Sequence, residues 1–200
     1  MNLVSFRRAL HFAFAWVIIS SVSLRGSESI TDQDATEIKA LSSALAQDLG
    51  TAKLSNYPKY FAPASLEKLA DEYRHMISWL IDHHPDDVTK MVTLTPDAQT
   101  IVSEKDPAKF FAGIALTPAM IRQVIAFGHD VHVVAVTGTR AKAYAVMEGK
   151  IDGIAGVTRP HSSAWLFVPT QEGWRLEGSN LIRSVRRNLE RLRQTYATDS

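Results

Sequence analysis

Ala164-Trp-Leu-Phe-Val-Pro-Thr-Gln-Glu-Gly-Trp-Arg-Leu-Glu177 is the stretch that decides the fold. Two short segments rich in aromatic and branched residues flank Gln171-Glu172-Gly173, which reads as strand, turn, strand. Upstream, Val131-His-Val-Val-Ala-Val136 and Ala141-Lys-Ala-Tyr-Ala-Val-Met147 give two more strands, with Thr137-Gly138-Thr139-Arg140 able to turn one into the other. Both faces of the first of these strands are mostly apolar, which predicts a central, covered position. In the second, Ala141, Ala143, Ala145 and Met147 share a face, and the alanines let a helix approach closely. Residues 148–161 carry Gly149, Gly153, Gly156 and Pro160, and read as a mobile loop or a longer hairpin arm.

Helical patterns come before these strands. Thr31 or Asp32 can cap a helix whose apolar residues Ile38, Leu41, Leu45 and Leu49 lead to a stop at Gly50. The aromatic connection Tyr57–Phe61 follows, tucked against the core. Ser65 can cap a second helix, with Leu66, Leu69, Tyr73, Met76, Ile77, Leu80 and Ile81 as its stripe. His84-Pro85 ends it, because the residue before proline is pushed out of the helical region. Thr95-Pro96, Asp106-Pro107 and Thr117-Pro118 each join a capping residue to a first-turn proline, which predicts three short helices, the last ending at Gly128. A final helix starts near Asn180. Ile182, Val185, Leu189, Leu192 and Tyr196 line one side of it, and Arg183, Arg186, Arg187, Arg191 and Arg193 the others. It can dock on its own domain, pair with a second copy, or lie on an anionic membrane, with docking the favoured reading. The expected class is therefore α+β: N-terminal helices packed on a curved antiparallel sheet, plus a C-terminal helix.

The chain has 200 residues, 46% hydrophobic and 22% charged, with a formal net charge of +1. That is the composition of one globular domain, without the charge excess that attracts nucleic acid. Arg7 and Arg8, the run from Ala9 to Ile19, apolar except for His11, and Ser21-Val22-Ser23 follow the plan of a secretory signal peptide cleaved after Ser23. The run is shorter than the ~20 residues a spanning helix needs, so no stable transmembrane anchor is expected after cleavage. Removing residues 1–23 takes away Arg7 and Arg8 and no acid, so 22 basic against 21 acidic residues becomes 20 against 21. The expected location is exported, periplasmic or extracellular. No cysteine is present, which excludes disulfides, thiolate metal sites and cysteine nucleophiles.

The Ala164–Val168 and Trp174-Arg175-Leu176 segments, with Gly173 between them and helices ahead, resemble the NTF2-like superfamily over roughly residues 32–181. That resemblance implies an α+β cone (residues 24–181) with a pocket at its open end, followed by the basic helix of residues 182–200. It also implies a range from isomerases, dehydratases, epoxide hydrolases and polyketide cyclases to binding proteins without catalysis. Fold alone does not choose among these.

Candidate chemistry is sparse. Asp82-His83-His84-Pro85-Asp86-Asp87 is the densest polar cluster, but its spacing is poor for a metal, and histidines are favoured at a helix C-terminus anyway. In His129-Asp130-Val131-His132 the two histidines face opposite sides of a strand and cannot share an ion. His132 on the concave face, with Tyr144 on the neighbouring strand and Asp130 or Asp152 as base, is the set that could move a proton or orient a carbonyl. The Gly149–Gly156 stretch lacks phosphate-loop order, and no G-x-S-x-G elbow is present. No cofactor, metal or nucleic-acid partner is expected. The favoured function is non-catalytic binding of a small apolar ligand or a protein partner, with a homodimer as a further candidate. The alternative is a small lyase, isomerase or hydrolase using His132 and Tyr144.

Overall fold

The computed structural model describes residues 28–51, 53–117, 129–152 and 158–198. The leader expected at residues 1–23 and the helix expected after Thr117-Pro118 lie outside the described residues. The fold is α+β, with N-terminal helices, antiparallel sheets and a C-terminal helix.

Helix α1 spans Asp32–Gly50. Thr31 caps it: its hydroxyl accepts the Asp34 amide at 3.1 Å, and the Asp34 carboxylate accepts the Thr31 amide at 2.9 Å. This reciprocal box satisfies two donors that a helix start otherwise leaves open. A 3-10 turn, Leu54–Lys59, leads to α2, Pro63–His83. Here the structure departs from expectation. Pro63 at the first helical position starts α2, and Ser65 does not cap it. The Ser65 hydroxyl instead donates to the Glu177 carbonyl, tying the helix to the end of the sheet.

Proline starts another helix directly after α2. Helix α3 (Pro85–Met91) runs into strand β1 (Val92–Leu94). Helix α4 is Ala98–Ser103, α5 is Pro107–Ala112, and β2 is Ile114–Leu116. The Thr95-Pro96 start is corrected. Asp97 caps α4 by accepting the Thr100 amide at 2.9 Å, and Thr95-Pro96 is a cis peptide ahead of it. Asp106 caps α5 as its sequence predicts. Strands β1 and β2 pair antiparallel as a small separate sheet.

The main sheet is fully antiparallel, in the order β3 (His129–Thr139), β4 (Lys142–Asp152), β5 (Thr158–Thr170), β6 (Gly173–Leu176). The glycine-rich stretch thus extends both arms of the β4–β5 hairpin, and residues 153–157 at its tip are outside the described residues. Strand β3 is not central, as expected, but at the sheet's edge. A register shift between Val133 and Ala135 also breaks its simple alternation. Val133 opposes Met147 and Val136 opposes Ala145 on the helix side, while Ala135 falls on the other face with Val146. An inserted residue flips the parity of everything beyond it.

The helix side of the sheet is the core side. Ala143, Ala145, Met147, Trp165, Phe167 and Leu176 are buried there. Beneath them an aromatic chain runs from Phe61 to Tyr57 at 5.5 Å, Tyr57 to Phe111 at 5.3 Å, and Phe111 to Tyr73 at 5.7 Å. Full burial of each such ring stabilises the fold by about 1.5–3 kcal/mol. At the outer edge of β6 the Tyr60–Ala62 segment adds a parallel bridge. Leu176 donates to the Tyr60 carbonyl at 2.7 Å, and Ala62 to the Leu176 carbonyl at 2.9 Å.

The last helix, α6 (Ser179–Thr198), lies on α2. Ile182, Val185 and Leu189 are buried, Arg186 Nε donates to Glu72 at 2.7 Å, and Arg193 reaches the His75 carbonyl at 3.3 Å. Ile182, Val185 and Leu189 of the apolar stripe are therefore covered within the chain. No helix among the described residues is long and apolar enough to cross a membrane.

Candidate functional site

His132 and Tyr144 lie on the same face of the main sheet, but apart. His132 opposes Glu148, and Tyr144 opposes Thr137 on one side and Leu166 on the other. Glu148 and Tyr144 are four residues apart on β4, so the two side chains start about 13 Å from each other. The shared face is the one turned away from the helices, because Ala143, Ala145 and Met147 take the core side. His132 is exposed, and Tyr144 is 37% exposed. The expected position of His132 on the covered face is thus corrected. Small residues on β4 accommodate the helices, and strict alternation turns Tyr144 and everything paired with its face outward. Asp130 is on β3 and Asp152 on β4, but both side chains lie outside the described residues.

The histidines at the end of α2 form a stacked surface cluster. The His83 ring lies nearly parallel to Trp79, 19° off at 5.2 Å, and His84 is tilted against the same indole at 5.1 Å. His83 Nδ1 sits 2.9 Å from the Trp79 carbonyl, one turn back on the same helix. Arg193 from α6 lies over the Trp79 ring, 5.8 Å from its centre. Among the described residues no group of three His, Asp or Glu side chains is placed to hold a metal ion.

Two polar features were not anticipated. Asp48, near the end of α1, is buried, and accepts the Tyr60 hydroxyl at 2.5 Å and the Asn56 amide at 2.8 Å. A buried carboxylate is tolerable when donors surround it, and these two close the link between α1 and the 3-10 turn. Burial, reinforced by the Asp48 carboxylate, pushes the Tyr60 phenol up to about 12. Deeper in the core, burial raises Tyr57 well above the ordinary phenol range and raises Tyr73 too. The two hydroxyls interact, but among the described residues that of Tyr73 has no partner in regular hydrogen-bond geometry. Asp34 is held below the usual carboxylate value, first by the Trp174 indole and then by Thr31. Asp97 is lowered by the hydroxyl and amide of Thr100. Arg186 is raised by Glu72. All six shifts run away from neutrality, the opposite of what proton transfer near pH 7 needs.

The second unanticipated feature is a cleft of about 490 Å³ between the 3-10 turn, the start of α2 and the β5–β6 turn. Pro58, Phe61, Pro63 and Leu66 line one side, and Thr170, Gln171, Glu172 and Arg175 the other. Arg175 is held in place by its bonds to the Trp174 carbonyl at 2.8 Å and to Glu172 at 3.2 Å. A guanidinium has five N–H donors, so capacity remains beyond these two. The alternation of proline and aromatic in Tyr57–Pro63 is the sequence signal for this wall, though nothing in the sequence pairs it with Arg175. A second, smaller cleft of about 320 Å³ runs between α1 (Asp32, Ala35, Thr36, Lys39) and Val133–Val136 at the sheet edge.

Comparison with family models, with curated proteins and with solved structures gives no match.

Proposed function

We propose that this chain is an exported, non-catalytic binding module of NTF2-like type. Its site is the cleft between Pro58 and Arg175, and its ligand is small, mainly apolar, and carries one acceptor or anionic group. The observation that carries this reading is the lining of that cleft. Two prolines, a phenylalanine and a leucine form an apolar wall opposite a single oriented guanidinium. Ligand sites commonly combine such a wall with a few placed polar groups. The separation of His132 from Tyr144 favours binding over proton transfer, since general acid–base work needs groups within reach of one substrate atom.

The test is calorimetric titration with dodecanoate, an alkyl chain ending in one carboxylate. The parent protein should bind it saturably. Arg175→Met should weaken binding by roughly tenfold or more, the worth of a charge-assisted hydrogen bond. Gln171→Trp, which places an indole across the mouth, should block it. No binding by the parent, or unchanged binding in both variants, removes the reading.

A further inference from the structure

We propose that Glu172 is a tethered competitor for the anion subsite at Arg175, so that the cleft selects ligands by their apolar part rather than by their head group alone. The inference rests on the reading of the Pro58–Arg175 cleft as a binding site. Glu172 Oε2 accepts from Arg175 Nη2 at 3.2 Å, and both residues line the cleft. A guanidinium grips a carboxylate with two parallel N–H groups, either from Nε and Nη2 or from Nη1 and Nη2. Nη2 belongs to both pairs. Nη1 is already turned to the Trp174 carbonyl at 2.8 Å. A ligand carboxylate gripped in this way must therefore share Nη2 with Glu172 or displace it. Sharing brings two carboxylates onto one nitrogen, where like charges repel.

The two partners are held very differently. The Arg175 side chain is 15% exposed and that of Glu172 is 81% exposed. Thr170 pairs with Gly173, which leaves Gln171 and Glu172 as a two-residue turn. The Thr170 hydroxyl accepts the Glu172 amide at 3.2 Å and donates to the Gly173 carbonyl at 2.8 Å. Just beyond the turn, Glu37 of α1 accepts the Trp174 amide at 3.1 Å. The turn backbone is thus anchored, and the Glu172 carboxylate can leave by side-chain rotation while the guanidinium stays in place. A group on so short a tether faces Arg175 at an effective concentration of about 1 mM or more. Small anions at lower concentration, with no apolar body, do not displace it. A ligand that also covers Pro58, Phe61, Pro63 and Leu66 adds the apolar burial that tips the exchange.

The experiment is calorimetric titration of the full chain and of its Glu172→Gln variant, at low salt, with dodecanoate and with uncharged decan-1-ol. Glu172 is open to solvent, so the variant should keep the parent's melting temperature. It should bind dodecanoate about fivefold more tightly than the parent does, the upper worth of an exposed ion pair. Decan-1-ol, which carries no charge to compete, should bind parent and variant alike. Dodecanoate bound no more tightly by the variant, or both ligands gaining equally, overturns the inference and leaves the cleft reading in place. Failure of parent and variant alike to bind dodecanoate removes the cleft reading and this inference together.

Discussion

Trp174 donates its indole N–H to Oδ1 of Asp34 at 2.9 Å, and this single bond joins the first turn of α1 to the last strand of the main sheet. The neighbouring Glu37 accepts the Trp174 amide at 3.1 Å, so two acids of one helix hold both N–H donors of one residue. Asp34 also takes part in the capping box with Thr31. One carboxylate thus caps the helix and fixes its position against the sheet.

That arrangement has an acid signature. The folded protein holds Asp34 below its ordinary value, so around pH 4 the unfolded chain binds more protons. The contribution is fully present above the unfolded value of about 3.9 and is lost as pH falls through the folded one. Asp97, lowered by Thr100, acts with the same sign. Trp174→Phe removes the largest cause of the Asp34 shift, so its denaturation midpoint should fall less between pH 5 and pH 3 than the parent's. Parallel curves would contradict this. Asp34 is open to solvent, so the effect is small and screened by salt.

Two tyrosines should respond oppositely to loss of the hydroxyl. Tyr60→Phe leaves the buried Asp48 with one donor fewer and should cost about 1.5–3 kcal/mol. Tyr73→Phe removes a buried hydroxyl that makes no regular hydrogen bond among the described residues, and should be neutral or stabilising by up to ~1 kcal/mol. Urea unfolding of both variants checks the pair, and equal losses would contradict the assignment.

Gly178 and Gly50 make a second contrast. Gly178 has φ +73°, and a Cβ there would sit 2.8 Å from the Phe61 ring. Gly178→Ala should therefore destabilise by about 2 kcal/mol, from backbone strain and crowding together. Gly50 ends α1 with nothing within 4 Å of an added Cβ. Gly50→Ala should stabilise by about 0.4–1 kcal/mol, mainly by restricting the unfolded chain. Thermal melts of the two variants should move in opposite directions.

The docking of α6 rests on its apolar side. Leu189→Ala should cost about 2–4 kcal/mol in chemical denaturation, because Leu189 is 4% exposed. Size exclusion should leave the variant eluting where the parent does. Earlier elution, or an unchanged midpoint, would show that this face contacts something other than α2.

The long elements were legible because each repeats one period for many residues. Ile38, Leu45 and Leu49 mark α1, the Leu66–Leu80 stripe marks α2, and the Trp165 and Trp174 segments mark a hairpin. The short elements α3, β1 and β2 have too few residues for a period to show. The two strands also find their hydrogen-bond partners far along the chain, as with Val92 and Leu116. The edge position of β3 was hidden for a different reason. Apolar residues on both faces suggest burial, while the shift beyond Val133 lets Val134 stand 46% exposed. His132 and Tyr144 were placed together because alternation gives the face of a residue but not its register along the neighbouring strand. The Arg175 cleft joins segments more than a hundred positions apart in the chain, and no local pattern encodes that meeting.

Ser65 and Glu177 are separated by 112 residues, yet their bond, with the Phe61–Leu176 bridge, seals the outer margin of the sheet. The β3–β4–β5 meander needs only neighbouring segments, whereas this seal requires closing a very large loop. Contacts of that span slow folding, because chain entropy is lost before they repay it. The hairpins can therefore zip early, while β6 keeps a bare edge until the segment ahead of α2 arrives. In that interval the bare edge is the surface on which two nascent chains could pair by mistake.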